Sequence, residues 1–284
     1  MTCAWKELLD ILPLWMRKEV DALGKSSLQE LRLRINSPPE LVTGEGSRRL
    51  SRRISREDLL YTVNAASRYS PWSAASTAQG YITAAGGHRI GICGEAVVQN
   101  GSVTGMKNLT SLCIRVARDF PGIAAGLEKI NGSVLILGPP GWGKTTLLRD
   151  LIRLRARKEK TCVVDERGEL FPEGLAGGID LDVLSGCGKK DAIPMLLRTM
   201  GPDCIGVDEI TEQEDTQALL QAANCGVHLL ATAHAISLSD LRRRTVYRSL
   251  LDNRVFDVFA VLKKDKTYTT ERMTEWDSSG LVRY

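Results

Sequence analysis

Gly138-Pro139-Pro140-Gly141-Trp142-Gly143-Lys144-Thr145 follows the apolar run Val134-Leu135-Ile136-Leu137 and leads into Thr146-Leu147-Leu148-Arg149-Asp150, a helix-forming segment. Strand, glycine-rich loop and helix in that order, with the spacing GxxxxGK[ST], are the parts of a P-loop. The glycines let successive backbone N–H groups turn toward a chain of phosphates, and the start of the helix adds partial positive charge. Residues Gly138 to Thr146 are therefore the expected binding loop for a nucleoside triphosphate. Lys144 is placed to reach the β- and γ-phosphates, and the Thr145 hydroxyl to ligate Mg2+. The alternative is a chance glycine-rich turn, and the flanking strand and helix argue against it.

The chain of 284 residues, 43% hydrophobic and 25% charged, has room for two modest domains and the composition of an ordinary globular protein rather than a disordered one. No uninterrupted apolar run approaches the roughly 20 residues that span a bilayer. The first 23 residues are broken by Lys6, Glu7, Asp10, Arg17, Lys18, Glu19 and Asp21, unlike a signal peptide or an anchor. A cytoplasmic protein without membrane insertion is expected. The seven cysteines are odd in number, scattered and without a CxxC pair. That excludes a disulfide framework and a zinc site as first readings and predicts reduced, mostly buried thiols. Residues 1–125 carry 16 Lys and Arg against 11 Asp and Glu, whereas 126–284 carry 22 against 23. A nucleic-acid or membrane-surface contact is one reading of that asymmetry, but for so small an excess a mixed, solvated surface is the favoured one.

Apolar positions from Leu8 to Val20 predict an amphipathic helix interrupted at Pro13. Leu31-Arg32-Leu33-Arg34-Ile35 alternates strictly, as a strand with one buried face does, and Pro38-Pro39 ends it. Ser55 and Asp58 predict a capping-box helix running to about Ser70. Two hairpins are expected next, one around Gly86-Gly87 and one around Asn100-Gly101, then a strand over 111–117. This makes an α+β N-terminal domain over 1–122, with Arg118 to Gly122 as the linker. Over 123–284, strands at 134–137, 161–165, 204–208 and 227–233 alternate with helices at 144–158, 188–200 and 212–225. That alternation predicts an α/β core with a parallel sheet.

Cys204-Ile205-Gly206-Val207-Asp208-Glu209 is an apolar strand ending in two acids, which fits a Walker B element: Asp208 for the Mg2+ shell and Glu209 for the attacking water. Such pairs also serve as helix N-caps, and Thr211 to Asp215 could be an acidic first turn. Cys162-Val163-Val164-Asp165-Glu166-Arg167 is a second strand with an acidic end. Its position predicts a strand inserted between the Walker A and Walker B strands, with Asp165 and Glu166 at the carboxyl edge where ligands of open α/β sheets bind. Asp165 becomes a further metal candidate and Glu166 a further base; a solvated strand end is the alternative. Thr232 and His234 end a third strand at the same edge, where the imidazole can meet the γ-phosphate. His228, near the strand start, reads as structural.

The series 138–145, Val164-Asp165-Glu166-Arg167, 206–210 and Ala231-Thr232-Ala233-His234-Ala235 resembles the Walker A, Asp-box, Walker B and His-box motifs of the type II and type IV secretion ATPases. The stretches 31–42, 66–75, 80–94, 112–118, 138–150 and 207–210 resemble the stage III sporulation protein AA family, over nearly the full chain. The resemblance implies a RecA-like P-loop core and use of ATP with Mg2+. It also implies a hexameric ring and an N-terminal domain that covers the nucleotide and supplies arginines to a neighbouring site. Arg89 and Arg115 match in position; internal salt bridges are their alternative. Secretion ATPases usually lack the first acid of Walker B, so the complete pair Asp208-Glu209 leaves the base open between Glu209 and Glu166. The implied role is to energise a secretion-like channel in the mother cell during the engulfment stage of sporulation, peripheral to the membrane through protein partners. A nucleic-acid motor is the rival, but only Tyr69, Trp72 and Tyr81 cluster near arginines, too few for a stacking groove. Arg242, Arg243 and Arg244 face either an interface or solvent, with solvent expected for at least one.

Overall fold

The computed structural model describes residues 3–67, 80–172 and 179–273. It divides into two compact units, Met1–Asp119 with Pro172–Leu175, and Phe120–Phe171 with Ala176–Tyr284.

The first unit begins with α1 (Trp5–Asp10) and α2 (Leu14–Asp21), and Pro13 stands at the N-cap of the second. A proline there breaks the first helix and starts the next without losing a hydrogen bond. A six-stranded antiparallel sheet follows: β1 (Leu28–Arg34), β2 (Glu40–Thr43), β3 (Gly46–Arg49), β4 (Tyr81–Thr83), β5 (Arg89–Gln99) and β6 (Ser102–Arg115), in the order β3-β2-β1-β6-β5-β4. Leu31 and Leu33 are fully buried while Arg32 between them faces away, as the alternation requires. The helix α3 (Arg56–Ala66) carries the expected capping box: the Asp58 N–H donates to Ser55 Oγ at 3.1 Å and the Ser55 N–H to Asp58 Oδ2 at 2.9 Å. It ends at Ala66, short of the expected Ser70. Ser70, Tyr69 and Trp72 lie outside the described residues. Both expected hairpins form at their expected turns, but their strands and the one expected over 111–117 run together. β4 pairs with the start of β5, and β5 and β6 form one long hairpin whose register shifts at Cys93/Glu95 and Val97/Val98. Bulges of this kind absorb the breaks in alternation without ending the strands.

The second unit runs β7 (Val134–Leu137), α4 (Lys144–Ala156), β8 (Thr161–Asp165), β9 (Leu181–Ser185), α5 (Lys189–Thr199), β10 (Cys204–Val207), α6 (Gln213–Asn224), β11 (His228–Ala233), α7 (Leu238–Arg243), α8 (Arg248–Asp252), β12 (Val258–Leu262) and β13 (Tyr268–Arg272). The sheet order is β13-β12-β7-β11-β10-β8-β9, parallel except for the β12–β13 pair. β7, β8 and β10 are buried at every position, as strands covered on both faces are.

One expectation about this sheet is corrected. The strand inserted between the Walker A and Walker B strands is β11, not β8, which pairs with β10 on its outer side. The crossover through α4 skips two positions, and the chain fills them later. Sequence order therefore does not give spatial order, although Asp165 and Glu166 still reach the carboxyl edge because β8 is parallel to its neighbours. The cysteines also differ from expectation. Only Cys162 and Cys204 are buried; Cys93 and Cys225 are exposed, the first on the outward face of β5 and the second at the C-cap of α6. All seven are free thiols. Burial pushes the Cys162 thiol up to about 11 and the Cys204 thiol higher still. No helix among the described residues is long and apolar enough to cross a membrane.

Gly206 lets α4 lie close on the sheet, since a Cβ there would come 2.4 Å from Ile152 Cδ1 and 2.8 Å from its Cγ1. Gly206→Ala is expected to cost about 1–3 kcal/mol by overpacking, read as a lower urea midpoint. Ile152→Val, which removes Cδ1, should cost less in the Gly206→Ala background than in the wild type.

Candidate active site

Parallel strands deliver their carboxyl-end loops to one edge, and the order β7-β11-β10-β8 sets the P-loop, His234, Asp208-Glu209 and Glu166-Arg167 in that sequence along it. The P-loop turns through Gly141 (φ 77°) and Gly143 (φ 100°), a left-handed backbone that glycine adopts without steric cost. Gly143 caps α4, whose first residue is Lys144. Pro140 and Gly141 are exposed, Pro139, Trp142, Thr145 and Thr146 half-buried, and Gly138 buried.

Lys144 is buried, and its Nζ lies 3.2 Å from the Pro139 carbonyl oxygen and 3.0 Å from His234 Nδ1. An ammonium only donates, so His234 Nδ1 accepts and the ring proton sits on Nε2. Nε2 then donates to Glu209 Oε1 at 2.8 Å, while Glu209 Oε2 is 3.6 Å from Arg167 Nη1. Lysine, histidine, glutamate and arginine from four different strand ends thus form one continuous chain. Burial lowers the Lys144 value below the usual lysine range, and the charges of Asp208 and Glu209 oppose that shift.

Beside this chain, Thr145 Oγ1 donates to Asp208 Oδ2 at 2.7 Å and Thr232 Oγ1 to Asp208 Oδ1 at 2.6 Å. Glu209 adopts φ 44°, a strained choice for a non-glycine residue that costs on the order of 1–2 kcal/mol. Its N–H donates to Thr232 Oγ1 at 2.8 Å and to Asp208 Oδ1 at 3.1 Å. Ile210 continues the anchoring: its N–H donates to the Thr232 carbonyl at 3.0 Å and its own carbonyl accepts the buried Tyr247 hydroxyl at 2.8 Å. Neither acid of the pair caps a helix, because α6 starts after Glu212, whose N–H and that of Thr211 donate to Asp215 Oδ2 at 3.3 and 3.0 Å.

The second acidic strand end is arranged differently. Asp165 is buried, and its oxygens accept the Glu169 and Phe171 N–H groups, both at 2.8 Å. Glu166 pairs with the buried Lys189 at 3.0 Å, and Lys189 also lies 3.5 Å from Asp215. Asp165, Glu166, Arg167, Lys189, Asp208 and Glu209 line one pocket. Sequence reasoning missed Arg167 and Lys189 as members of the site. Arg167 carried a signal, as the residue directly after the acidic pair; Lys189, at a helix start far from any motif, carried none.

Arg89 and Arg115 belong to the first unit, where they stand opposite each other across β5 and β6. The Arg89 guanidinium lies over the Tyr81 ring, 4.0 Å from its centroid, and Arg115 is 3.8 Å from Glu30. His228 pairs with Glu159 at 3.1 Å at the far end of β11. Arg243 and Arg244 are exposed and Arg242 half-buried.

Oxygen donors at Thr145 and Asp208 suit Mg2+, which takes one or two carboxylates and completes its shell with water and substrate phosphates. Among the described residues no group of three or more His, Cys, Asp or Glu could hold a metal ion without such help.

The model of the family described as sporulation stage III, protein AA matches residues 4–278. Stage III sporulation protein AA of Bacillus subtilis (strain 168) is 36% identical over 300 residues, 98% of this chain and 97% of that protein. Among solved structures, the ATPase DotB of Legionella pneumophila aligns with a TM-score of 0.61 at 18% identity, over 92% of this chain and 80% of that one. The pilus retraction motor PilT, solved with bound ADP, gives 0.60 at 17% over 90% and 78%. These two likenesses establish the fold: a RecA-like P-loop core with an N-terminal domain.

Because the folded value of Lys144 is lowered, the unfolded chain holds that proton more tightly. At a pH below both values the charged lysine costs folding stability, and the cost fades as pH rises through the folded value. Without nucleotide, Lys144→Met should therefore melt at or above the wild-type temperature. Mg·ATP should stabilise the wild type and leave the variant unchanged, as differential scanning fluorimetry can read directly.

Proposed function

The chain belongs to the sporulation stage III protein AA family, and on that premise we propose that it is an ATPase that works as a ring and energises assembly or transport by a secretion-like channel during sporulation. The observation that carries the reading is the hydrogen-bonded chain Lys144–His234–Glu209 beside the Thr145–Asp208 pair, at the carboxyl edge of a parallel sheet. Residues Gly138 to Thr146 bind the phosphates, and Lys144 exchanges His234 for the β- and γ-oxygens. Thr145 and Asp208 would hold Mg2+, Asp165 acting on that shell only through the loop it fixes, and the ion when bound would supply neutralisation of charge on the phosphates. Glu209 takes the proton of the attacking water as general base. Its rival Glu166 is committed to Lys189. His234, with a ring nitrogen released by Lys144, meets the γ-phosphate while its Nε2–H keeps Glu209 oriented.

The domains 1–122 and 123–284 act as cover and motor of a hexamer. Arg89 and Arg115, side by side on one face of the first sheet, serve the site of an adjacent subunit, where arginines counter charge on the transferring phosphoryl group. Membrane proteins of the channel recruit the ring to the mother-cell membrane at the engulfment stage; nucleic acid has no part.

Glu209→Gln should bind Mg·ATP as the wild type does and turn over at least about 100-fold more slowly, whereas Glu166→Gln keeps most activity. Bound but uncleaved ATP in Glu166→Gln alone would transfer the base role. Arg89→Ala should hydrolyse poorly yet bind nucleotide. Mixed with Glu209→Gln it should recover activity, since a shared site draws its arginine from one chain and its carboxylate from the other; no recovery in demonstrably mixed rings would confine the first domain to docking.

A further inference from the structure

The loop after β8 is held by an unusual investment of buried charge. Asp165 is only 3% exposed and Arg149, reaching over from α4, 7% exposed. Asp165 accepts the Glu169 and Phe171 N–H groups, both at 2.8 Å, while its carbonyl accepts the Gly168 N–H at 3.2 Å. Arg149 donates to the carbonyls of Glu169, at 2.7 Å, and Leu170. Burying two charges is costly unless both are matched by hydrogen bonds, and here those bonds go to the backbone of the segment 168–171. A backbone fixed so heavily presents its remaining side chains in set positions. Arg167, in that loop, reaches the Glu209 carboxylate.

We propose that Arg167 is a positioning residue for Glu209: the Asp165–Arg149 loop delivers its guanidinium to Glu209 Oε2 while His234 holds Oε1. The inference deepens the ATPase reading and rests on it. Glu209 has a side chain of three torsions and one firm carboxylate contact, the 2.8 Å bond from His234 Nε2. With that contact alone the carboxylate pivots about Oε1. A second cation beside the opposite oxygen, 3.6 Å away, opposes the pivot by charge attraction. Each carboxylate oxygen accepts more than one hydrogen bond, so the lone pairs left over stay directed into the pocket for a water. The guanidinium is 57% exposed, and a pair at such a site adds little to folding stability. Its removal is therefore expected to act on the orientation of the base and not on the fold.

The test is steady-state ATP hydrolysis by the full chain, with the wild type, Arg167→Ala, Arg167→Lys, Glu209→Gln and the double variant Arg167→Ala/Glu209→Gln compared. Arg167→Ala should lose about tenfold to 100-fold in kcat with KM for ATP within about twofold of wild type. Arg167→Lys, which keeps the cation but not the fork, should recover part of the loss. In the Glu209→Gln background Arg167→Ala should have no further effect, because the group it positions is no longer a base. Unimpaired kcat in Arg167→Ala, a rise in KM at constant kcat, or equal losses in both backgrounds would overturn the positioning role. A wild type without hydrolysis, or Glu209→Gln at wild-type turnover, would defeat the ATPase reading and the inference with it. Normal wild-type turnover, a slow Glu209→Gln and a fully active Arg167→Ala would defeat the inference alone.

Discussion

An ammonium group has three protons to give and no lone pair to accept with, and the candidate site depends on that asymmetry. Lys144 must donate to His234 Nδ1, so the imidazole proton lies on Nε2, and Nε2 must donate to Glu209. One donor at the start of a helix thereby sets the tautomer of a histidine and the orientation of a carboxylate on two other strands. The same lysine is the group a triphosphate would claim, so phosphate binding and the state of the base are coupled through a single ring. On the proposed reading the reorganisation would be local: Lys144 would change partner, and the Thr145 hydroxyl would turn from Asp208 toward a metal.

Sheet order makes this possible. With β11 between β7 and β10, His234 stands between the P-loop and the Walker B acids, within hydrogen-bonding distance of both sides. Were β8 in that slot, Asp165 and Glu166 would occupy the histidine's place. Thr232, one turn of the pleat before His234, performs the matching service for the backbone: it receives the Glu209 N–H and donates to Asp208, holding Glu209 in its left-handed conformation. The strain at Glu209 is thus carried by three hydrogen bonds that the Glu209 and Ile210 N–H groups donate to Thr232 on the neighbouring strand and to Asp208.

The parts of the fold that were legible in the sequence are those with strong local signals. The continuous apolar runs of β7, β8, β10 and β11, the P-loop spacing, the Leu/Arg alternation of β1 and the Ser55–Asp58 box all declare themselves over a few residues, and each forms at its expected place along the chain, although β8 takes another place in the sheet. Strands β2, β3, β9 and β13 carry exposed or mixed positions, so their pairing is decided by neighbours distant in sequence. β12 is fully buried and missed for another reason: with no motif at its end, nothing marked Val258–Leu262 as part of the sheet. Within the site, the residue types at the strand ends were legible, but their partners were not. That Glu166 would meet Lys189, or Glu209 meet Arg167, follows from the packing of α5 and the loop after β8, which no periodicity encodes.

The central claim, that Lys144 and Glu209 communicate through the His234 ring, is open to nitrogen NMR of the imidazoles. Only three histidines are present, so a His234→Gln sample assigns the resonances by subtraction. At a pH where the ring is neutral, His234 should show a protonated Nε2 and an accepting Nδ1. Adding Mg2+ with a non-hydrolysable ATP analogue should shift Nδ1 strongly, as Lys144 leaves it for phosphate, and Lys144→Met should abolish the response. A proton on Nδ1, or an Nδ1 signal indifferent to nucleotide in protein shown to be saturated with it, would contradict the account.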